Sequence, residues 1–422
     1  MIGKSTLKDG GILFIASILG GFSNYLYNII IGRMLGPANY AEVTSLLSVI
    51  VIASVPSGTI QTVITKFVAR YNAHNEQNKI QQLLKSVSNK LLIAGIVLFL
   101  IFILFSRLIT DFMKIESIIP VVLLGIVLIP SAVLPVYRGA LQGMQKYLDF
   151  SISGTLEVFA KLIFGVVLVY FGFKTSGAVL GFSLAGIIAL LFTGIQLKGV
   201  LNKNIKGREV PDEKIFQELF KYSKNVILNI LCFTVLTNST MILVKHYFLP
   251  EQAGMYAGAE IISKIVMFLT GIIPIMVFPK AAALHAKNMD SKRLLLKSIS
   301  VVFGVGVLFV LGSYLLGNYI ITGFFGEKYL ESAGLLGHLS IVMTMYSLYN
   351  IMSIYQLSIN NYKFIYGTII LSIAQIGLIT MFHNTLEQVV MIMIISSTLI
   401  VVYNLYCSLN KKGIKNCSLL KF

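Results

Sequence analysis

Two stretches place a carboxylate and an amine one helical turn apart inside otherwise apolar sequence. They are Glu157 and Lys161 in "GTLEVFAKLIFG", and Glu260 and Lys264 in "AEIISKIVMF". Four-residue spacing with Glu on the N-terminal side is the favourable order for a helical ion pair. A charged side chain at the centre of a membrane helix costs about 2.5 to 3.5 kcal/mol on insertion scales, so these groups have to face protein or water. Two readings stay open for each pair: it neutralises itself and packs a helix, or its lysine lines a wet cavity and attracts an anion. Asparagines offer a second chemistry. Asn24 and Asn28 share one helical face, as do Asn225 and Asn229, with Asn238 deeper in the same segment. Amides donate and accept, which suits sugar hydroxyls, and Tyr25, Tyr27 and Tyr256 can supply ring faces. The alternative for the amides is interhelical hydrogen bonding, worth about 0.6 kcal/mol on average in membrane bundles.

The elements that must hold these groups follow from composition. The chain has 422 residues, 56% hydrophobic and 12% charged, with a mean hydropathy of +0.84. That leaves too little polar surface to cover a soluble globule. Apolar runs near the roughly 20 residues needed to cross about 30 Å of hydrocarbon recur along the whole length. They are continuous rather than alternating, so they predict helices and not a barrel. The expected architecture is an all-α polytopic membrane protein of about twelve spans. The first six are 11–32, 41–65, 91–110, 118–137, 150–172 and 177–197. The second six are 225–247, 254–278, 298–321, 333–357, 364–382 and 387–408. Pro120, Pro130 and Pro135 should kink the fourth span, and Pro56 and Pro274 should bend the second and eighth.

Basic residues orient the set. With the N-terminus, the even-numbered connections and the C-terminus on one side, 26 of the 34 Lys and Arg fall there, so both termini are expected in the cytoplasm. The most basic connection, 198–224, separates an N-terminal lobe, 1–197, from a C-terminal lobe, 225–422. Its position beside anionic lipid accounts for the net charge of +17, and no nucleic acid partner is expected. The first apolar run is long and lacks an A-x-A-like cleavage site, which predicts an uncleaved first span. "GKST" at residues 3–6 mimics the end of a phosphate-binding loop without its first glycine or a preceding strand. Cys232, Cys407 and Cys417 have no metal or redox spacing, and the histidines are scattered. No metal, no cofactor and no soluble ATP-hydrolysing domain is expected from these 422 residues.

The two halves repeat. Aligning Pro37 with Pro250 superposes "IIIGRMLGPANYAEV" on "MILVKHYFLPEQAGMY", and about 29 residues later each half has an inner-end lysine, Lys66 and Lys280. Six spans per half give the copies one orientation, related by an axis along the membrane normal. The ordered motifs "GRMLGPANYAEVTSLL", "YRGALQGMQKYLDFS", "LPEQAGMYAGAEIISKI", "FPKAAALHA" and "GFFGEKYLESAGLL" resemble the polysaccharide-transport branch of the multidrug/oligosaccharidyl-lipid/polysaccharide exporter superfamily. The resemblance spans nearly the whole chain. It implies a V-shaped pair of six-helix lobes in a bacterial inner membrane. It also implies a flippase, not an enzyme, that turns an undecaprenyl-diphosphate-linked oligosaccharide from the inner to the outer leaflet. The implied partners are that glycan lipid, the surrounding membrane lipid and the enzymes that assemble the polysaccharide. Members of the branch often carry an Asp in span seven, where this chain has Asn238, Ser239 and Thr240.

The expected mechanism is alternating access. Lys66, Arg70, Lys280 and Arg138 would steer an anionic lipid-linked sugar at the inner ends of their spans. Lys264 and Lys161, with Glu260, Glu157, Asn24, Asn28 and Asn238 around them, would take its head group. Arg33 and Lys245, in matching places at the outer ends of spans one and seven, would snorkel to lipid phosphates or meet the diphosphate on exit. Two other functions compete. A drug/cation antiporter of the same superfamily would want exposed buried carboxylates, whereas both mid-span carboxylates here have a lysine one turn away. A membrane glycan polymerase or ligase would be expected to carry a long outer loop with catalytic Arg or His, and the outer connections here are short.

Overall fold

The computed structural model describes residues 4–201, 213–287, 289 and 291–409. Among these residues every regular element is helical, as continuous apolar runs in hydrocarbon require: only a helix or a closed barrel pairs every backbone group internally. The chain divides into two compact units, Met1–Ile227 and Leu228–Phe422. In the first unit the helices are α1 (Lys4–Ala53), α2 (Val55–Ala73), α3 (Gln77–Phe112), α4 (Ile119–Gly125), α5 (Leu128–Gly143), α6 (Tyr147–Leu168) and α7 (Lys174–Leu201). The next helix, α8 (Glu213–Tyr247), contains the boundary between the units. The second unit continues with α9 (Pro250–Ser263), α10 (Ile265–Thr270), α11 (Ile272–Ala286), α12 (Lys292–Phe325), α13 (Ala333–Ser358), α14 (Phe364–Met381) and α15 (Leu386–Leu409). Of the expected linker, residues 202–212 lie outside the described residues, and the remainder belongs to α7 and α8.

Ten helical stretches among the described residues are long and apolar enough to cross a membrane, which makes this a multi-pass membrane protein. Two of the ten each hold two spans, divided at a glycine. Helix α1 breaks at Gly36 (φ 72°, ψ 174°), a conformation a side chain would resist, just ahead of Pro37. A π-helical turn at Val169–Phe173, containing Gly172 at φ 90°, separates α6 from α7. Divided there, the stretches correspond to the twelve expected spans. Prolines interrupt others: the chain leaves helical bonding at Ser54 ahead of Pro56, and α4 ends before the Pro130 and Pro135 segment of α5.

In the first unit α6 packs on α1 and α7, and α5 packs on α2 and α3. These contacts bring α1, α5 and α7 against different parts of α6, the helix that carries Glu157 and Lys161. In the second unit α13 is the central helix, in contact with α9, α10, α11, α12 and α15. Its Ser340, Ser353 and Gln356 are fully buried, so the hydroxyls that dilute its hydropathy face protein and not lipid.

Candidate functional site

Ser153, Glu157 and Lys161 follow one another at four-residue steps along α6, so they form one stripe on its face. Two neighbouring helices serve this stripe. From α5, Arg138 donates through Nε to Ser153 Oγ at 3.0 Å and through Nη2 to the Ser153 carbonyl at 2.9 Å. The same Nη2 reaches Glu157 Oε2 at 2.7 Å, an ion pair that is partly open to the outside. From α1, Asn24 accepts a 2.7 Å hydrogen bond from Lys161 Nζ through its side-chain oxygen. The expected helical pair is therefore not formed: Glu157 goes to Arg138, and Lys161 goes to a neutral amide. Among the described residues Lys161 has no ion-pair partner.

Aromatic rings complete the Lys161 environment. Its Nζ lies 4.1 Å from the centroid of the Tyr27 ring and 5.4 Å from that of Phe182 on α7. Cation–π contacts of a desolvated amine are worth about 2 kcal/mol. Tyr27 is pinned by donating to the Ala178 carbonyl at 3.0 Å. It can seat there because Gly165, one turn beyond Lys161, has no side chain; a Cβ would lie 2.7 Å from the ring. Lys161 itself is 7% exposed. A buried ammonium held by an amide and two rings keeps its charge uncompensated by any carboxylate it touches.

The rest of α1 ties this site to the break at Gly36. Asn28 donates to the Asn24 carbonyl at 2.8 Å and accepts from Tyr40 Oη at 3.3 Å, joining the two halves of the broken helix. Beyond the break, Glu42 is buried and accepts from Thr175 Oγ1 of α7 at 2.9 Å. Sequence reading missed Glu42 because it stands close behind the Pro37 turn. A small cavity of about 210 Å³ opens beside Arg138, lined also by Gln61, Ser17, Ser151 and Thr155. Ser151 and Ser153 were missed as well, since a serine in an apolar helix leaves no hydropathy signal.

In the second unit Lys264 and Glu260 do pair with one another, at 3.2 Å, with Glu260 almost fully buried. Lys264 stands where helical bonding breaks between α9 and α10. Asn238 donates to the Thr234 carbonyl at 2.9 Å and to Thr237 Oγ1 at 3.0 Å, so its NH2 group is engaged on its own helix. Asn229 accepts from Tyr349 Oη at 3.0 Å and packs α8 against α13.

The other bases scatter. Lys66 and Arg70 are exposed on α2, and Lys280 is exposed on α11. Arg33 and Lys245 differ despite their matching places in sequence: Arg33 is exposed, and Lys245 is among the largest fully buried side chains. Within the first unit the structure thus joins Asn24 with Lys161, and Arg138 with Glu157, on one face of α6.

Residues 6–285 match the sequence profile of a family described as "Polysaccharide biosynthesis protein". The teichuronic acid biosynthesis protein TuaB of Bacillus subtilis (strain 168) is 23% identical over 253 residues, which are 60% of this chain and 52% of TuaB. The chain thus spans about half the length of that curated relative. Among solved structures, the inward-facing conformation of a multidrug resistance MATE family transporter of the MOP superfamily aligns at a TM-score of 0.73 and 14% identity. That alignment covers 93% of this chain and 98% of the transporter. The lipid II flippase MurJ in its inward closed conformation aligns at a TM-score of 0.69 and 15% identity, over 95% of this chain and 87% of MurJ. At such identities the likeness establishes the fold: the chain is built as these exporters are.

Proposed function

We propose that this chain, which belongs to the polysaccharide biosynthesis protein family, is a flippase for an undecaprenyl-diphosphate-linked oligosaccharide, the repeat unit of a surface polysaccharide. It would carry that lipid from the inner to the outer leaflet of a bacterial plasma membrane by alternating access, with both termini in the cytoplasm. The observation that carries this reading is Lys161, a buried cation whose contacts are Asn24, Tyr27 and Phe182 and no carboxylate. Burying a charge without an opposite charge in contact with it is costly, and a diphosphate would supply that contact. Asn24, whose oxygen holds Lys161, adds an amide suited to a sugar hydroxyl, and Asn28 steadies it through the Asn24 carbonyl. Arg138, with Lys66, Arg70 and Lys280, would act earlier, drawing the anionic head group to the inner ends of the spans. Lys264 takes second place, because Glu260 already neutralises it. Arg33 and Lys245 are assigned to release.

Depletion of the protein tests this directly. The expected outcome is accumulation of undecaprenyl-diphosphate oligosaccharide in extracted lipids. One observation favours a second function: Glu42 is a buried carboxylate held by a hydroxyl and, among the described residues, by no base, which is what a drug/cation antiporter would need. A normal lipid profile with gained drug sensitivity on depletion would select that function instead.

A further inference from the structure

Next to the Arg138 cavity lies a second, larger hollow of about 490 Å³ between α1 and α6. Its walls are almost wholly apolar: Ile15 and Leu19 from α1, and Leu148, Ile152, Leu156 and Phe159 from α6. The two hollows adjoin, with Ala16, Ser151 and Thr155 lining both. From Leu148 to Phe159 the groove follows about 16 Å of helix, roughly half the 30 Å thickness of the hydrocarbon core. It therefore has the length of one leaflet.

The polar end has unused bonding capacity. Arg138 commits Nε and Nη2 to Ser153 and Glu157, and its Nη1, with two N–H groups, makes no hydrogen bond among the described residues. Ser151 is 7% exposed, and its hydroxyl is buried without any hydrogen-bond partner. A native structure seldom leaves such a hydroxyl orphaned unless something else occupies the site. Ser151 lines the cavity beside Arg138 as well as the apolar hollow.

We infer that this groove and cavity form a docking site for a polyprenyl phosphate group, with the isoprenoid chain along Ile152 and Leu156 and the chain-proximal phosphate on Arg138 Nη1 and Ser151 Oγ. A polyprenyl phosphate fits because its phosphate sits directly at the end of a single chain. A glycerophospholipid brings two chains and a glycerol, for which one groove joined to one small polar cavity has no place. Guanidinium to phosphate is also the strong, charge-assisted pairing. The inference rests on the flippase reading for its substrate class, and it gives that substrate a place on the first unit, apart from Lys161.

The test uses the full chain in nanodiscs of phosphatidylglycerol and phosphatidylethanolamine, with a diazirine-bearing polyprenyl diphosphate as photoprobe and peptide mapping of the adducts. Adducts are expected on residues 15–19 and 148–159, suppressed by excess undecaprenyl phosphate and not by added phosphatidylglycerol. Ile152→Trp fills the groove at a position that is 41% exposed, so the core tolerates it. It should lower adduct yield about tenfold, and Arg138→Gln about as much, one lost charge-assisted bond, with Arg138→Lys recovering part. Adducts elsewhere, or equal displacement by phosphatidylglycerol, would overturn the docking site. Specific adducts alongside a normal lipid profile on depletion would support the site while sinking the flippase. Lipid accumulation on depletion with adducts mapped elsewhere would sink the site alone.

Discussion

The two Glu-x-x-x-Lys pairs are identical in spacing and opposite in outcome. At the end of α9, Glu260 and Lys264 close on one another at 3.2 Å. In α6, Glu157 pairs with Arg138 at 2.7 Å and Lys161 is left to Asn24. A helical pair at this spacing contributes only about 0.3 to 0.5 kcal/mol, so a better partner on a neighbouring helix displaces it. Arg138 is that partner, because its fork bonds Ser153 and Glu157 together. The consequence is functional: the second unit holds a neutralised pair, and the first holds a cation whose only contacts are neutral.

That contrast can be broken by substitution, and the largest effect should fall on Lys161. Lys161→Met removes the charge, keeps the length and strands no carboxylate. Loss of export of about 30-fold or more is expected, as for truncation of a buried charge that grips a charged ligand, with protein levels unchanged on a membrane blot. Lys264→Met should do the reverse. It leaves Glu260 buried and uncompensated, a loss of up to about 3 kcal/mol that should appear as a lower midpoint of thermal unfolding in detergent. The double variant Glu260→Gln with Lys264→Met should recover most of that stability; if it does not, the pair is more than self-neutralising.

Smaller effects sharpen the comparison further. Asn24→Leu removes one hydrogen bond to a charged amine, about 1.5 to 3 kcal/mol at most, and should weaken export less than Lys161→Met. Arg138→Met frees Glu157, which is 30% exposed and can find water, so the stability cost should stay near 1 kcal/mol. A drop as large as that of Lys264→Met would show the Arg138 pair to be a structural pillar.

Most of the fold was legible in the sequence, because hydropathy reports contact with lipid. Helix α3 illustrates the rule: it is the most apolar stretch, and only 11% of its window is buried inside the protein. The tenth span gave the weakest signal for the complementary reason, since 78% of its window is buried and its hydroxyls face other helices. The breaks at Gly36, Ser54 and Gly172 sit on or beside glycine and proline, residues whose backbone preferences are local and therefore readable.

The site was legible only in part. Spacing along one helix placed Glu157 and Lys161 on one stripe, but choice of partner depends on which helices pack beside α6, and no local pattern records that. The same limit hid the role of Arg138, which the positive-inside pattern read as a plain inner-end base. It also hid that the Asn238 NH2 group bonds Thr234 and Thr237 of its own helix. Arg33 and Lys245 matched in the repeat alignment yet differ in burial, so sequence repetition does not carry side-chain environment with it.

The central claim is that Lys161 grips the anionic head group of a lipid-linked oligosaccharide. The most direct measurement is transbilayer movement of a fluorescent undecaprenyl-diphosphate oligosaccharide in proteoliposomes, read by chemical quenching of the outer leaflet. The wild-type chain and Lys264→Met/Glu260→Gln should both move the lipid, and Lys161→Met should not. Movement by Lys161→Met at the wild-type rate would contradict the claim.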